Sequence, residues 1–362
     1  MSTFGKAIEI NLFGESHGDS IGIIINNLPA GIKLDFDNIA HELFKRRPKS
    51  NLSTPRQEKD EYKIISGYYN DFTTGTPLTI VIENKDTRSK DYSNEILRPS
   101  HADFTSHMKY KGYEDYRGSG HFSGRITTPL VILGAISNQL LKQKGIIIGS
   151  HIASIKDIKD EEFCDYDSFE SIINTLNSSD FPVLNEKIID SYKKTILDAK
   201  ENKNSVGGVV ETMILGLNPG YGNPFFNSIE STIAHLIFSV PAVKGIEFGK
   251  GFSITKLYGS EANDEFYIDG ETVKTRTNNS GGIQGGISNG MPITFKTAIK
   301  PTASIGLPQK TVNIETMKET TLSLVGRHDP AIVHRVIHVI NAITSYATLE
   351  IICRNEGFSW IK

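Results

Sequence analysis

Residues 98–128 constrain this chain most. Histidines, arginines, lysines and aspartates crowd around the turn Gly118-Ser119-Gly120, and an apolar run with helical character starts behind them at Leu130. A loop that meets a helix N-terminus offers unpaired backbone N–H groups and the positive end of a dipole, which together make an anion site. Neighbouring cations hold a phosphate or carboxylate more tightly than amides alone. The same residues also suit a solvated polar loop with one buried histidine, so the stretch needs support from elsewhere in the chain.

Bulk properties narrow the field. At 362 residues the chain can bury a sizeable core. With 38% hydrophobic and 22% charged residues it reads as globular. A net charge of −3 gives no global basic field, so nucleic acid is not an expected partner, and an anionic ligand has to be caught by locally clustered cations. Cys164 and Cys353 have neither metal-ligand nor disulfide-framework spacing, which fits a reducing compartment and no metal. No charged-then-apolar leader opens the chain, and no apolar run approaches about 18 residues. A soluble, cytoplasmic protein with no membrane contact is expected.

Strands are predicted over 8–13, 21–26, 62–66, 78–83, 146–155, 207–217 and 292–299, from alternating or continuously apolar runs. Asp35 or Asp37 can cap a helix over 38–47, with Ile39, Leu43 and Phe44 as its buried stripe and Pro48 as its stop. A second helix is predicted over 125–144 with Gly145 as its C-cap, a third over 229–240 capped by Ser228, and a fourth over 331–351. Residues 156–204 are rich in Lys, Asp, Glu and Asn; they read as a peripheral insertion with one amphipathic helix over 186–201, Ile188, Ile189, Tyr192 and Ile196 on one side. The two halves resemble each other loosely in their order of elements, which suggests an internal duplication without a sequence repeat.

Five further stretches carry candidate chemistry. Between two predicted strands lies Gly14-Glu15-Ser16-His17-Gly18, longer than a tight hairpin needs. His17 can move a proton near neutral pH, or simply sit solvated in a turn. Arg46 and Arg47 end a helix, where cations are ordinary dipole partners unless they point into a pocket. Residues 278–290 are the most glycine-dense; they match neither a P-loop nor a dinucleotide fingerprint, yet Gly-Gly steps let backbone amides approach a flat ring or a phosphate. Lys300-Pro301-Thr302-Ala303-Ser304 suits phosphate binding or a plain strand-end turn. In Gly326-Arg327-His328-Asp329-Pro330, Asp329 followed by Pro330 reads as an N-cap with proline at N1, and also as a carboxylate placed beside cations. No Ser-His-Asp elbow is present.

Taken together, Gly14-Glu15-Ser16-His17-Gly18, Arg98-Pro99-Ser100-His101-Ala102-Asp103, the glycine run from Ser280 to Ser288, Lys300-Pro301-Thr302 and Gly326-Arg327-His328-Asp329-Pro330 resemble chorismate synthase, in the right order over nearly the whole chain. The resemblance implies an α+β fold with helices sandwiched between antiparallel β-sheets, one domain over 1–362, and a homotetramer. It implies anti-1,4-elimination of phosphate from 5-enolpyruvylshikimate 3-phosphate to give chorismate, the last common step toward aromatic amino acids. Reduced FMN is required without net redox change, lending electron density as the allylic C–O bond breaks.

Position by position, the resemblance makes His17 the group that protonates or orients the reduced flavin, and His101 the acid toward the leaving phosphate. It makes Asp329, acting with the flavin, the remover of the ring proton. Arg46, Arg125 and Arg327 would bind the substrate's anions. Flavin contacts would come from His121, Phe122, Ser123, Pro241, Ala242, Gly285, Lys300, Pro301, Thr302, Ala303, Ser304 and Arg327. Arg46 also matches a position linked to NADPH in members that reduce their own flavin; other members draw on an external flavin reductase. The chain departs from the pattern at residues 121–127, where many members read Arg-Ser-Ser-Ala-Arg-Glu-Thr. Here His121 replaces the first arginine and Ile126 the glutamate, while Arg125 keeps the second arginine. An arginine often found near Leu52 is absent. Two rivals stand beside the lyase: an NAD(P)H-dependent flavin reductase, which needs neither His101 nor Asp329, and a catalytically silent flavin-binding protein.

Overall fold

The computed structural model describes residues 2–48, 52–53, 59–85, 95–324 and 329–362. Two five-stranded sheets, one from residues 3–83 and one from residues 147–299, enclose a helical layer. The first contains β1 (Thr3–Phe4), β2 (Glu9–Gly14), β3 (Ser20–Asn26), β4 (Tyr62–Ser66) and β5 (Leu78–Glu83) in the order β1-β2-β3-β5-β4. The second contains β6 (Ile147–Ile155), β7 (Ile158–Lys159), β8 (Gly208–Leu215), β9 (Val243–Phe248) and β10 (Ile293–Ile299) in the order β9-β10-β8-β6-β7. Every pairing in both is antiparallel. The α+β class expected from the sequence is the class observed.

The helices of eight residues or more are α1 (Phe36–Arg46), α2 (Asp103–Tyr110), α3 (Thr128–Leu141), α4 (Phe169–Ser178), α5 (Ile189–Glu201), α6 (Ile229–Ile237) and α7 (Val333–Glu356). Twelve of the fourteen residues of α3 are buried, so it is apolar all round, as a helix enclosed on every side has to be. It packs on α7 and α1 and touches β3 and β5, while α7 packs on β6 and β8. The two central helices cross where a Cβ on Gly134 would lie 2.3 Å from the Ala342 Cα, so only glycine permits their approach. Each fully buried Ile or Leu in this layer contributes about 1.5–3 kcal/mol by removal from water.

The α7 helix is long and apolar enough to cross a membrane, and 94% of its apolar window is buried inside the protein. It is a core helix, and its length exceeds the apolar runs expected from the sequence. Its Glu350, fully buried, accepts backbone N–H groups of Lys6 (2.6 Å), Ala7 (3.1 Å) and Ile8 (2.8 Å) and the Arg354 Nε at 2.8 Å. The N-terminal strand is thereby fastened to the core.

Several expectations need correction. The predicted helix over 125–144 is a 3-10 turn (Gly124–Thr127), then α3, then another 3-10 turn (Lys142–Lys144) closed by Gly145 at φ +69°. The stretch before it is not all loop, because α2 lies inside it. Insertion 156–204 holds two α-helices rather than one. It is no mere appendage, for α4 packs on β6, whose residues are therefore buried on both faces. The buried His151 on β6 bonds Asp160 (3.3 Å) and Glu211 (2.8 Å), and Asp160 in turn accepts the Leu184 and Asn185 N–H groups. Finally, Asp329 is no N-cap: Ile332 occupies that position without a side-chain bond, and the Asp329 carboxylate is engaged elsewhere.

Candidate active site

A cleft of about 850 Å³ opens where the end of α1, the 98–128 stretch, the C-terminal turn of α6, the strand-end segment after β10 and the first turns of α7 meet. That volume is in the range of small-molecule sites. Part of the lining is apolar: Phe4, Ile10, Leu12, Leu130, Leu236 and Val339. Another part is cationic: Arg46, Arg47, Arg125, Lys244, Lys300 and Arg335, with Asp60 and Asp329 also on the lining.

The Arg98–Asp103 motif closes on itself. Arg98 donates from Nε and Nη2 to the two Asp103 oxygens at 2.8 and 2.7 Å, and its own N–H reaches Oδ2 at 3.0 Å. Burial opposes ionisation of Asp103, but the Arg98 bonds and charge outweigh it and hold the carboxyl below its usual range. This fork leaves His101 facing the cleft at the start of α2, with Nε2 at 2.8 Å from the Ser304 Oγ. Lys300 Nζ donates to the Ser100 carbonyl at 2.7 Å, and the Lys300 N–H to the Ala242 carbonyl at 3.0 Å. Three segments distant in sequence are thus stitched around one histidine. Burial lowers the Lys300 ammonium below its usual pKa, and the charge of Lys244 adds to the effect. Two residues on, the Thr302 Oγ1 is buried with no hydrogen-bond partner among the described residues. A buried hydroxyl with an unused bond in a cleft that two lysines line fits a phosphate group.

His121 lines the cleft in place of the arginine of the family pattern. Its Nδ1 lies 3.0 Å from the Gly14 carbonyl, which can only accept, so Nδ1 donates there; Nε2 faces the Ser2 hydroxyl at 3.0 Å. Phe122 and Ser123 follow, and the Ser123 Oγ accepts the Arg125 N–H at 3.3 Å. Arg125 donates from Nε to Asn84 Oδ1 at 3.1 Å and from Nη1 to Asp60. Asn84 Nδ2 in turn holds the Glu15 and Gly18 carbonyls at 3.0 and 2.9 Å. Arg46 Nη2 donates to the Gly124 carbonyl at 2.8 Å and to the Thr127 Oγ1 at 3.2 Å, which aims it into the cleft rather than along the helix end.

His17 is buried behind the turn rather than lining the cleft. A Cβ on Gly118 would lie 2.5 Å from its Nε2, so the glycine makes room for the ring. Asp329 lines the cleft and accepts from Arg335 Nη1 at 2.8 Å. Gly285 is not there. Its hairpin, Ile283–Gln284 with Ile287–Ser288, packs at the N-terminus of α6, where Gly286 offers its carbonyl to the Ile229 N–H at 3.1 Å. The cleft is at the other end of that helix, roughly 13 Å away at 1.5 Å per residue. Arg327 lies outside the described residues. Among the described residues no cluster of His, Cys, Asp or Glu could hold a metal.

Sequence reading missed Asp60, Lys244 and Arg335. Lys244 stands two residues after Ala242, and nothing local marks it as more than a surface cation. Arg335 lies six residues beyond Asp329, a spacing that no local pattern marks.

The family model for chorismate synthase matches residues 8–353. A chorismate synthase of Dehalococcoides mccartyi is 42% identical over 356 residues, covering 98% of this chain and 97% of that protein. That of Methanocaldococcus jannaschii is 42% identical over 373 residues, covering 99% and 97%. A solved structure described as a crystal structure of chorismate synthase superposes with a TM-score of 0.76 at 26% identity, covering 98% of this chain and 94% of that one. With sequence and backbone agreeing over nearly their full lengths, the chain belongs to the chorismate synthase family.

Proposed function

We propose that this chain catalyses the anti-1,4-elimination of phosphate from 5-enolpyruvylshikimate 3-phosphate, giving chorismate, with reduced FMN in the same cleft. The observation that carries this reading is the convergence of His101, Asp329, Arg46, Arg125 and Lys300–Ala303 on one cavity whose lining is part apolar and part cationic. The apolar lining suits a flat ring system, and the unused Thr302 hydroxyl, two residues from Lys300, suits its phosphate. Reduced FMN, when bound, supplies electron density to the breaking allylic C–O bond and recovers it.

The chain's own groups do the rest. Arg46 and Arg125 grip the substrate's anions with forked donors that lysine cannot match. His101, oriented by Ser304, protonates the departing phosphate. Asp329 accepts the ring proton, so one C–O and one C–H bond break and one C=C bond forms. Each positioned proton transfer contributes about 10²–10⁴ in rate. His17, behind the turn, orients the flavin through that turn.

We assign the activity to the cytoplasm, on the ground that Cys164 and Cys353 are both unpaired. We infer a homotetramer, supported by exposed aromatic residues: Phe225 and Phe226 at 91%, Phe252 at 81% and Tyr258 at 80% exposure. The test is anaerobic phosphate release with photoreduced FMN, repeated with oxidised FMN and NADPH. Release only with photoreduced flavin supports a lyase served by an external flavin reductase. Release in both supports one that uses NADPH itself. No release in either overturns the proposal in favour of a silent flavin binder, and NADPH oxidation without phosphate release overturns it in favour of a flavin reductase.

A further inference from the structure

Asp60 is the carboxylate that Arg46, Arg47 and Arg125 share at the α1 end of the cleft. Its side chain is 2% exposed yet borders the cavity. Arg125 Nη1 hydrogen-bonds one of its oxygens; Arg46 Nη1 and Arg47 Nε approach the other at 3.9 and 3.8 Å. The three arginines come from two separate parts of the chain, α1 and the 3-10 turn before α3. Left to themselves, three cations this close repel one another, and the repulsion is strong where water is scarce. One buried carboxylate between them opposes the splay. Asp60 adopts a left-handed backbone at φ +50°, which an aspartate tolerates better than most residues and which carries its side chain inward.

We infer that Asp60 is a positioning residue for substrate binding: it fixes the guanidinium forks of Arg125, Arg46 and Arg47 at the spacing of the substrate's anionic groups. This rests on the proposed role of Arg125 and Arg46 as substrate ligands. The sign of its effect separates positioning from plain charge balance. Removing a negative charge from an anion site strengthens long-range attraction for an anion. If Asp60 positions the arginines, its loss weakens binding instead, because misaligned forks lose their paired hydrogen bonds.

The experiment uses the full chain loaded with oxidised FMN, and calorimetry of 5-enolpyruvylshikimate 3-phosphate binding to wild type, Asp60→Asn, Asp60→Glu and Arg125→Gln. Thermal unfolding serves as the fold control, and kcat is measured with photoreduced flavin. The expected Kd for Asp60→Asn rises at least 10-fold with kcat within about 3-fold, and Asp60→Glu, which restores the charge, recovers part of the loss. An unchanged or lower Kd for Asp60→Asn overturns the inference. Where Asp60→Asn does not fold, Asp60→Glu decides: a Kd raised several-fold supports positioning and a wild-type Kd overturns it. Arg125→Gln keeps the two readings apart. Weakened binding there with normal binding in Asp60→Asn overturns this inference alone. Normal binding in Arg125→Gln overturns the substrate-ligand reading, and this inference with it.

Discussion

Arg335 Nη1 donates to Asp329 Oδ2 at 2.8 Å from the first turn of α7, and its Nε donates to the Arg46 carbonyl at 3.3 Å. One guanidinium therefore ties the proposed proton acceptor to the helix end that carries two of the anion-binding arginines. The Asp329 carboxylate is aimed by a side chain, and its position does not depend on capping a helix.

Asp329→Asn keeps that geometry and removes the basic oxygen. It should leave substrate Kd within about 3-fold and lower kcat at least 10-fold. Arg335→Gln should lower kcat by a smaller factor, since the carboxylate remains but wanders. Rapid-quench measurement of phosphate release checks both, and an unchanged kcat in Asp329→Asn would remove it from the proton transfer.

How far the sequence reached is clearest at this helix. The pair Asp329-Pro330 fits an N-cap locally, and that reading loses to an ion pair made six residues further on. Local signals did well where the physics is local. Asp35 accepts the Asn38 N–H at 2.9 Å and Ser228 the Ser231 N–H at 3.0 Å, both as helix caps. Helix α4 carries Ile172, Ile173 and Leu176 at helical spacing, but the polar residues around them mask that signal. Gly285 is a different case: a glycine run declares backbone freedom but not which end of a neighbouring helix it will pack against. The convergence of His101 with Ser304 lay beyond single-sequence reasoning, since 203 residues separate them. It came instead from the resemblance.

His334 gives the fold an acid-side weakness. It is buried, stacks on Phe181 at 6.1 Å between centroids and shares a 2.7 Å hydrogen bond with the Ser53 hydroxyl. Burial, with the Arg335 charge, lowers its pKa to about 4. An unfolded chain takes up this proton near pH 6.5, so between about pH 6.5 and 4 the unfolded state binds more protons and stability falls as pH drops. The full loss is roughly 3 kcal/mol at about 1.4 kcal/mol per unit. His151 acts with the opposite sign. Burial opposes its protonation, yet bonds to Asp160 and Glu211 raise its pKa. Its contribution is complete below about pH 6.5 and is lost as pH rises through its folded value. Urea unfolding midpoints from pH 4.5 to 7 should show the acid limb flatten in His334→Gln and persist in His151→Gln.

Glu350→Ala removes the shared acceptor of three backbone N–H groups at Lys6, Ala7 and Ile8 and leaves Arg354 unpaired. An orphaned buried donor costs about 1–3 kcal/mol, and of the three only the Ile8 N–H is fully buried, so a loss of at least about 1 kcal/mol is expected. Because Phe4 and Ile10 line the cleft, loosening this clamp should also weaken flavin binding. Urea unfolding and an FMN fluorescence titration measure the two effects, and a loss under about 1 kcal/mol would mean that water replaces the carboxylate at little cost.

Gly118 and His17 form a steric pair. A Cβ on Gly118 would lie 2.5 Å from His17 Cδ2 and Nε2 and 2.8 Å from the Ser16 Oγ, at a backbone φ of +60°. Gly118→Ala therefore carries a left-handed backbone cost of about 1–2 kcal/mol and also has to displace the imidazole. If His17 orients the flavin through this turn, turnover should fall at least 10-fold in the single variant. Combining it with His17→Ala separates the two costs. Removing the ring relieves the clash but not the backbone strain, so the double variant should be more stable than the two single losses summed predict. Residues in contact show such coupling at about 0.5–3 kcal/mol. Strict additivity in urea unfolding would mean that the imidazole does not fill the space the glycine leaves, and the turn would then hold its shape without reference to His17.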